Sequence, residues 1–489
     1  MVLFVINLAV LLLAFSPYLK TLFSSDSYAH IEEGNGLYYQ GHLWLGRPVS
    51  YAIMAILYHL GVRVTSHQLL LKLILLVCSA AGAVIITLLF AKIKGNNDWK
   101  TLLLANMAVL LSFVNIFIQE FYYFPEAGPV FGFGLLFTAL SVWFFFRRQN
   151  IIHLLLSLLF LVLSLGMYQV LVQLYICWGM CFWLMESKFT INKRVVLRFF
   201  QLAVVCIIAS AITMAVLVLF QQIGIAFVSE RNVSLSAVWG NLAILVLQVQ
   251  GFLWGFKHFV AFNWVVPLVF LVLLALLVFV LARRKTKLVG WLMVLFTLAA
   301  NYLSVFLLHA VTDSVWAVPR TLVGFFGLFT TVALILLFLQ PPKGVRWCAA
   351  GAMAVFLVFS VIHIGGFGTA QRVNNAVDAQ IAREVHEEVL RYEQKGGVRV
   401  EKMVVGQDAS PVYTYPENIG YSYGDQNYRV WQNFWGAVAA YNLYTDSHMQ
   451  VVTMSDEVYA EYFEGKNWDT FNAREQLVFV DDTLYMVAY

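Results

Sequence analysis

The chain has 489 residues, of which 61% are hydrophobic and only 12% are charged. Soluble domains carry about 25% charged residues, so this composition excludes a soluble globular protein and indicates a polytopic membrane protein. The formal net charge of +4 is distributed over short loops between apolar segments. That distribution excludes the single basic face of a nucleic-acid-binding protein.

The apolar segments predict about eleven transmembrane helices, since each crossing needs about 20 apolar residues. The first, Met1–Tyr18, lacks the basic start of a secretory signal and is interpreted as a retained helix. Tyr51–Val62 is too short to cross and predicts a helix in the membrane interface, within a first outer loop at 19–68. The remaining spans cover approximately 69–91, 101–118, 129–146, 151–166, 169–185, 199–221, 263–282, 288–308, 317–339 and 347–366, with a second long outer loop at 222–262.

Loop charge predicts the orientation of these helices. Alternating spans place fifteen cations and two acids on one side, against seven cations and seven acids on the other. Because Lys and Arg concentrate in cytoplasmic loops, the N-terminus is expected inside and the C-terminus outside. Lys72, at the outer start of its span, is expected to extend toward the headgroups as a snorkelling side chain.

The composition changes sharply after about Gly368. Gln371–Gln394 predicts an amphipathic helix, because apolar residues recur there at every fourth position. Short strands are expected at Lys402–Gly406 and Leu477–Asp481, and a helix at Asp456–Phe463. The predicted domains are therefore a transmembrane domain at 1–366, a linker helix at 367–395 and a small α/β domain outside the membrane at 396–489.

The stretch Ser24–Pro48 collects charged residues where the chain first leaves the bilayer. Asp26, His30 and Glu33 would share one face of a short helix that a preceding serine caps. A partly desolvated Asp26 at the membrane edge is suited to act as a general base; the alternative is a simple helix cap. Glu32 and Glu33 remain open between substrate contact and solvated surface.

Cations on the outer side could bind a phosphate. Arg47 can grip a lipid phosphate with two parallel hydrogen bonds, or anchor to headgroups. Arg320 lies about three residues into a predicted span, where a charge is costly unless it meets an anion or a cavity. It is a candidate phosphate ligand, with a structural pair to Asp313 as the alternative. Lys257 and His258 are further candidates in the second long outer loop.

Aromatic residues dominate the outer loop Gln119–Glu126, which resembles a sugar-binding lining or, alternatively, an interfacial aromatic belt. Glu126 and Tyr122 are the candidate substrate contacts there. Tyr168 and Gln169 occupy a tight reversal between two short spans, and we expect that reversal to be recessed and to face a cavity. No metal-ligand spacing is present, so a divalent cation would require acids from separate loops to converge.

An inner first helix, a long outer loop opening with an acid, an interfacial helix and many spans together resemble the GT-C superfamily of polyprenol-dependent glycosyltransferases. Within it, the chain resembles the type II glucosyltransferase (Gtr) family, whose members modify O-antigen. Many members carry two adjacent acids where this chain has Ser25-Asp26, which argues against a two-carboxylate or metal-bridged role there. The matching residues are Asp26, Tyr28, Gly41, Trp44, Gly46-Arg47-Pro48 and Tyr168-Gln169.

The resemblance implies inverting transfer of a sugar, glucose in this family, from undecaprenyl phosphate to a cell-surface glycan such as O-antigen. The site would face the periplasm from the bacterial inner membrane. Asp26 would deprotonate the acceptor hydroxyl, while Arg47, Arg320, Lys257 and His258 would stabilise the departing phosphate. The implied partners are the lipid-linked donor, the glycan acceptor, the bilayer, a donor-making glycosyltransferase and a donor flippase. No cofactor is implied with certainty.

Two alternatives remain at the level of sequence. A transporter or flippase for a lipid-linked glycan would place ionisable residues near the bilayer midplane, whereas here they gather at one rim. An O-antigen polymerase would need paired arginines in a large outer loop, and the loop 222–262 contains only Arg231. Both patterns favour a transferase acting at one face of the membrane.

Overall fold

The protein folds into a bundle of apolar helices and a smaller α/β unit at its C-terminal end. The computed structural model describes residues 1–32, 37–95, 98–226, 236–255, 262–313, 315–396, 398–406, 429–432, 434–468 and 470–488. The helices up to residue 396 are α1 Val2–Phe15, α2 Ser25–Glu32, α3 Leu37–Trp44, α4 Pro48–His59, α5 Gln68–Lys94, α6 Trp99–Leu110, α7 Gln119–Tyr123, α8 Gly128–Arg147, α9 Ile151–Met167, α10 Val172–Glu186, α11 Lys193–Gln222, α12 Val238–Ile244, α13 Gln250–Gly255, α14 Val265–Arg283, α15 Leu288–Ser304, α16 Leu307–Ala310, α17 Gly324–Phe338 and α18 Lys343–Gly396.

Each predicted span contains one of these helices, so the chain is a helical polytopic membrane protein. Among the described residues, seven helical segments are long and apolar enough to cross a membrane, and they contain α1, α5, α8, α10, α11, α14 and α18. The other predicted spans contain α6, α9, α15 and α17, which are apolar but no longer than 17 residues. The total of eleven spans and the orientation of the chain stay predictions.

The centre of the bundle is formed by α17 and α10. Every residue of α17 from Gly324 to Leu337 is buried, as expected for a helix that is apolar on all sides. A Cβ at Gly327 would lie 2.9 Å from the Cβ of Cys177, so the glycine lets α17 approach α10 closely. Asn301 of α15 donates to the Thr331 hydroxyl at 2.9 Å, a polar link between helices.

The last helix of the bundle, α18, runs for 54 residues without a break. At 1.5 Å per residue its length is about 80 Å, well beyond the thickness of a bilayer. The sequence predicts a last span followed by a separate linker helix, whereas the structure joins the two into one helix. A Cβ at Gly368 would lie 2.9 Å from Pro17, so the glycine permits close packing on the chain after α1 instead of ending the helix.

The C-terminal unit packs a four-stranded sheet and short helices against the end of α18. The strand order is β2-β1-β4-β3, with β1 parallel to both neighbours and β3 antiparallel to β4. Strands and a helix lie where the sequence predicts them. The elements are β1 Lys402–Gly406, α19 Phe434–Thr445, β2 Gln450–Val451, α20 Asp456–Tyr462, α21 Ala473–Gln476, β3 Leu477–Val480 and β4 Thr483–Val487.

Candidate active site

Asp26 is an exposed acid on an otherwise buried turn. The Ser24 hydroxyl accepts a hydrogen bond from the Ser27 amide at 3.0 Å and so caps the start of α2. Ser24, Ser25, Ser27 and Tyr28 are all buried, whereas Asp26 is exposed in the first turn. The local fold therefore leaves this carboxylate exposed, whereas the sequence predicts that it is partly desolvated.

Glu126 supplies a second carboxylate next to Asp26, from a loop 100 residues further along the chain. Its side chain is only 4% exposed. Its oxygens accept hydrogen bonds from the hydroxyls of Ser27 at 2.7 Å and Ser24 at 3.3 Å, and it interacts electrostatically with Asp26. Two acids therefore meet at the start of α2, although the sequence there contains only one.

A buried lysine interacts with one member of this acid pair. Lys72 is fully buried and donates from Nζ to the Lys20 carbonyl at 3.0 Å and to Gln68 at 3.1 Å. It also interacts electrostatically with Glu126. The snorkelling interpretation of Lys72 is therefore wrong, because the start of the first outer loop folds over the side chain.

Arg47 is held in place by Tyr168 and Gln169. Its Nε donates to the Gln169 side-chain oxygen at 3.2 Å, and its guanidinium lies 4.9 Å from the centre of the Tyr168 ring. Gly46 adopts φ +69°, and a Cβ there would lie 2.3 Å from Leu217, so this turn requires glycine. Residues predicted from two separate parts of the sequence, Arg47 and the Tyr168–Gln169 turn, therefore lie in contact.

An aromatic wall extends from this arginine. The rings of Phe121 and Phe131 stack with centroids 4.0 Å apart, and each meets the Tyr168 ring edge-on. Phe131 lies in the apolar sequence of α8, where nothing distinguishes it from a core residue. Its role in this wall depends on packing between helices and is not visible in the sequence.

A pair of histidines connects the Asp26 region with the Arg47 region. His30 follows Asp26 by one helical turn on α2, and His42 of α3 interacts electrostatically with both His30 and Arg47. Desolvation by the surrounding protein lowers the pKa of His42 to about 3, and the charges of Arg47 and His30 act in the same direction. His42 is therefore a neutral ring near the guanidinium at any physiological pH.

Arg320 is paired with a buried acid. It lies in a 3₁₀ turn, Pro319–Thr321, that precedes α17, and not inside a membrane-spanning helix. Its backbone amide donates to Glu120 at 2.7 Å, and its guanidinium forms an ion pair with the same carboxylate. The alternative considered from the sequence, a structural pair with Asp313, is wrong in its partner, because Asp313 is exposed and the ion pair is with Glu120. The pairing with Glu120 leaves Arg320 less of its charge for a donor phosphate.

The short helix α7 directs three consecutive side chains to three different places, because each residue turns the helix by about 100°. Glu120 meets Arg320, and Phe121 joins the aromatic wall. Tyr122 is fully buried and stacks on Phe15 of α1 at 3.8 Å. Tyr122 thus packs in the helix core, away from the Arg47 region.

The remaining predicted site residues are not placed by the structure. Glu32 lies at the end of α2, but its side chain is outside the described residues. Glu33, Lys257 and His258 also lie outside them. In the part of the chain that is described, no group of three or more His, Cys, Asp or Glu side chains is arranged to hold a metal ion.

The helix α18 fixes the backbone just before α2. Asn375 accepts a hydrogen bond from the Phe23 amide at 2.9 Å and donates one to the Phe23 carbonyl at 3.0 Å. Gln371 donates to the same carbonyl at 3.1 Å. The linker helix therefore reaches the candidate site, which the sequence does not predict.

The C-terminal unit packs directly on α2 through α19. A Cβ at Gly436 would lie 2.7 Å from the Ser25 carbonyl oxygen, so only glycine permits this contact. The hydroxyls of Tyr28 and Tyr444 hydrogen-bond to each other. Burial, with the neighbouring Tyr444 hydroxyl, raises the pKa of Tyr28 well above its usual value, so the link stays protonated.

An accessible acid beside a second carboxylate, with an arginine and an aromatic wall at one end of a bundle of apolar helices, has the elements of a membrane-bound group-transfer site. The family model described as "Glucosyl transferase GtrII" matches residues 16–338, more than half of the chain. The chain belongs to this family and is a glycosyltransferase, which confirms the resemblance to the type II glucosyltransferases. No curated protein matches the chain. The match ends before α18, so the helix and the α/β unit that fix α2 lie beyond it.

Proposed function

We propose that the protein transfers a glucosyl residue from undecaprenyl phosphate to a cell-surface glycan such as O-antigen, with inversion at the anomeric carbon. The family supports the glucosyl group, and the apolar helices suit a donor anchored by a hydrocarbon chain. The site and the C-terminal unit would face the periplasm from the bacterial inner membrane. A donor-making glycosyltransferase and a donor flippase would supply the substrate.

The observation that carries this proposal is the pairing of exposed Asp26 with buried Glu126. Asp26 takes the proton from the acceptor hydroxyl as that oxygen attacks the anomeric carbon and the bond to the phosphate oxygen breaks. Two carboxylates at close range disfavour simultaneous ionisation, so the pair is suited to holding one proton during transfer. One displacement on the side opposite the phosphate inverts the anomeric centre.

Arg47 is the group best placed to stabilise the departing polyprenyl phosphate. Tyr168 and Gln169 orient its guanidinium, and a fixed guanidinium can meet a phosphate with two parallel hydrogen bonds. Arg320 is a second phosphate candidate, weakened by its ion pair with Glu120. Lys257 and His258 remain candidates for the same phosphate.

The substrate contacts follow the same geometry. Tyr168 and Gln169 remain candidates for contact with the sugar, although the Tyr168 ring is only 4% exposed and packs on the buried rings of Phe121 and Phe131. Glu32 and Glu33 remain candidates for contact with the acceptor. A flippase or a polymerase is disfavoured because the chain belongs to a family of glucosyl transferases.

The test is glucosyl transfer from radiolabelled undecaprenyl phosphate glucose to a glycan acceptor, using membranes that contain the full chain. Asp26→Asn is expected to lower transfer by about 100-fold or more, because a general base contributes a factor of that size. Asp313→Asn, which removes another exposed acid, is the matched control and should leave transfer unchanged. Near-normal transfer by Asp26→Asn would overturn the base assignment, and retention at the anomeric carbon of the product would overturn single displacement.

A further inference from the structure

A polar cavity lies at the end of α8 opposite to Glu126. It has a volume of about 360 Å³ and lies between the end of α8 and the first turns of α9 and α11. Glu126 precedes α8, whose 20 residues span about 30 Å, so this cavity is far from the candidate active site. The proposed glucosyl transfer does not use it.

One wall of the cavity carries three arginines, Arg148, Arg194 and Arg198. Arg198 is only 7% exposed. Its guanidinium donates to the Phe145 carbonyl at 2.7 Å and to Gln201 at 3.1 Å. A buried guanidinium fixed in this way is part of a built site, because its position is set before any ligand arrives.

The positive charge in this wall is only partly neutralised. Glu186 pairs with Arg198 at 3.6 Å and accepts a hydrogen bond from Gln149 at 3.0 Å. Arg194 donates to the neutral Gln149 side chain at 2.6 Å. Among the described residues, neither Arg194 nor Arg148 has a carboxylate within ion-pair distance, so three cations face one acid.

Two helix N-termini open at the same place. The Asn150 side chain caps α9 by accepting from the His153 amide at 2.9 Å, and Asn192 caps α11 by accepting from Val195 at 3.0 Å. Unpaired amides in the first turns of helices carry partial positive charge and attract phosphate groups. The helix dipoles and the arginines therefore favour the same anionic ligand.

The other wall of the cavity is apolar and continues onto an exposed apolar surface. Ile151, Leu154 and Leu197 line it, and Ile151 and Leu197 are 65% and 58% exposed. A free phosphate would make no use of this wall. A ligand that combines an anionic headgroup with hydrocarbon chains fits both walls.

We propose that this cavity binds the phosphate headgroup of an anionic glycerophospholipid from the adjoining leaflet. The phosphate meets Arg148, Arg194 and Arg198, and the acyl chains lie along Ile151 and Leu197. Basic pockets between transmembrane helices are a recognised setting for anionic headgroups. The bound lipid would link α8, α9 and α11 at this end and so stabilise the bundle.

The experiment measures thermal unfolding of the full chain in neutral detergent with added phosphatidylglycerol or phosphatidylcholine. Phosphatidylglycerol is expected to raise the unfolding midpoint by about 2–4 °C, since a ligand of the native state stabilises it. Phosphatidylcholine should have less than half of that effect. The double variant Arg148→Gln/Arg194→Gln should lose at least half of the phosphatidylglycerol shift. If the double variant does not fold, the single variant Arg148→Gln replaces it in the experiment, because Arg148 is exposed and has no ion pair among the described residues.

The matched control is Arg283→Gln/Arg284→Gln, which removes two exposed cations at the end of α14. It should keep the full phosphatidylglycerol shift. If both double variants lose the phosphatidylglycerol shift equally, the effect is one of general charge and the proposed site is wrong. An unchanged shift in Arg148→Gln/Arg194→Gln would also overturn the site. A shift of the same size with glycerol 3-phosphate at equal concentration would overturn the lipid as the ligand.

Discussion

The two buried glutamates of the segment Gln119–Glu126, Glu120 and Glu126, have different surroundings. Glu120 forms an ion pair with Arg320 and also accepts its backbone amide. Glu126 forms no ion pair at short distance among the described residues; it accepts hydrogen bonds from Ser24 and Ser27 and interacts electrostatically with both Asp26 and the buried Lys72. Both carboxylates are almost completely buried.

From this difference we expect Glu120 to contribute to stability and Glu126 to contribute to the reaction. A buried acid with a matched cation is satisfied and holds two segments together. A buried acid beside Asp26 is electrostatically costly, and such an arrangement persists where it serves a function. We therefore expect the Asp26–Glu126 pair to be the reactive region and the Glu120–Arg320 pair to support the fold around it.

The largest effect is expected when the support is broken. Glu120→Gln leaves the Arg320 guanidinium without its carboxylate, and breaking a buried pair in this way costs about 3 kcal/mol of unfolding free energy. We expect a lower unfolding midpoint and less protein in the membrane. A variant as stable as the unmodified chain would contradict the supporting role of this pair.

The double variant Glu120→Leu/Arg320→Met separates support from catalysis. Replacing both partners by apolar residues should restore stability, because no charge is left buried alone. If the Michaelis constant for the lipid-linked donor then stays within about twofold, Arg320 only supports the fold. An increase of about tenfold or more would instead establish Arg320 as a donor ligand.

The next effect concerns Glu126 itself. Glu126→Gln keeps hydrogen-bonding groups near Ser24 and Ser27 but removes the charge, and we expect kcat to fall by about 100-fold at unchanged protein abundance. Asp26→Asn/Glu126→Gln should be no slower than Asp26→Asn alone, since residues that act as one unit are not additive. If the fold-decrease in kcat of the double variant equals the product of the two single decreases, the two acids act independently.

A smaller effect is expected at Arg47. Arg47→Lys keeps the charge but loses the planar fork and its contact with Tyr168, so the Michaelis constant for the donor should rise by about tenfold. Arg63 is the matched control, because its guanidinium lies 3.9 Å from the Tyr58 ring in a similar contact. Equal responses of Arg47→Lys and Arg63→Lys would argue against a phosphate role for Arg47.

The smallest effect is a pH dependence of stability from His42. Because the pKa of His42 is lowered to about 3 in the folded state, only the unfolded chain takes up this proton between about pH 6.5 and 3. The lowered pKa of His42 therefore reduces the free energy of unfolding as the pH falls, by at most about 1.4 kcal/mol per pH unit. His42→Asn should reduce the change of the unfolding midpoint between pH 7 and pH 5.5. His448→Asn, at an exposed histidine, should leave that change as it is in the unmodified chain.

The sequence predicts well what depends on local pattern. Apolar length locates a helix in each of the eleven predicted spans, and serine before Asp26 predicts the start of α2. Apolar length does not locate α7, which lies in a predicted loop, or α12 and α13, which lie in the loop predicted at 222–262. The turn at Tyr168 and Gln169 is predicted because the two spans that flank it are short, whereas its contact with Arg47 depends on how the helices pack. The partner of Arg320 and the second acid beside Asp26 could not be predicted, because they depend on which loops meet after the helices pack. The sequence does not predict that α18 is continuous, because Gly365, Gly366 and Gly368 suggest a break in the helix. In the structure the helix continues through all three glycines.

The hydrogen bonds between Phe23 and Asn375 join residues 352 positions apart in the chain. During synthesis, α2 therefore emerges near the beginning, while the groups that fix it emerge only near the end. Contacts of such long sequence separation form late in folding. The order of assembly thus delays completion of the Asp26 turn until the final quarter of the chain has folded, and a nascent chain would carry an inserted bundle before it carries a formed site.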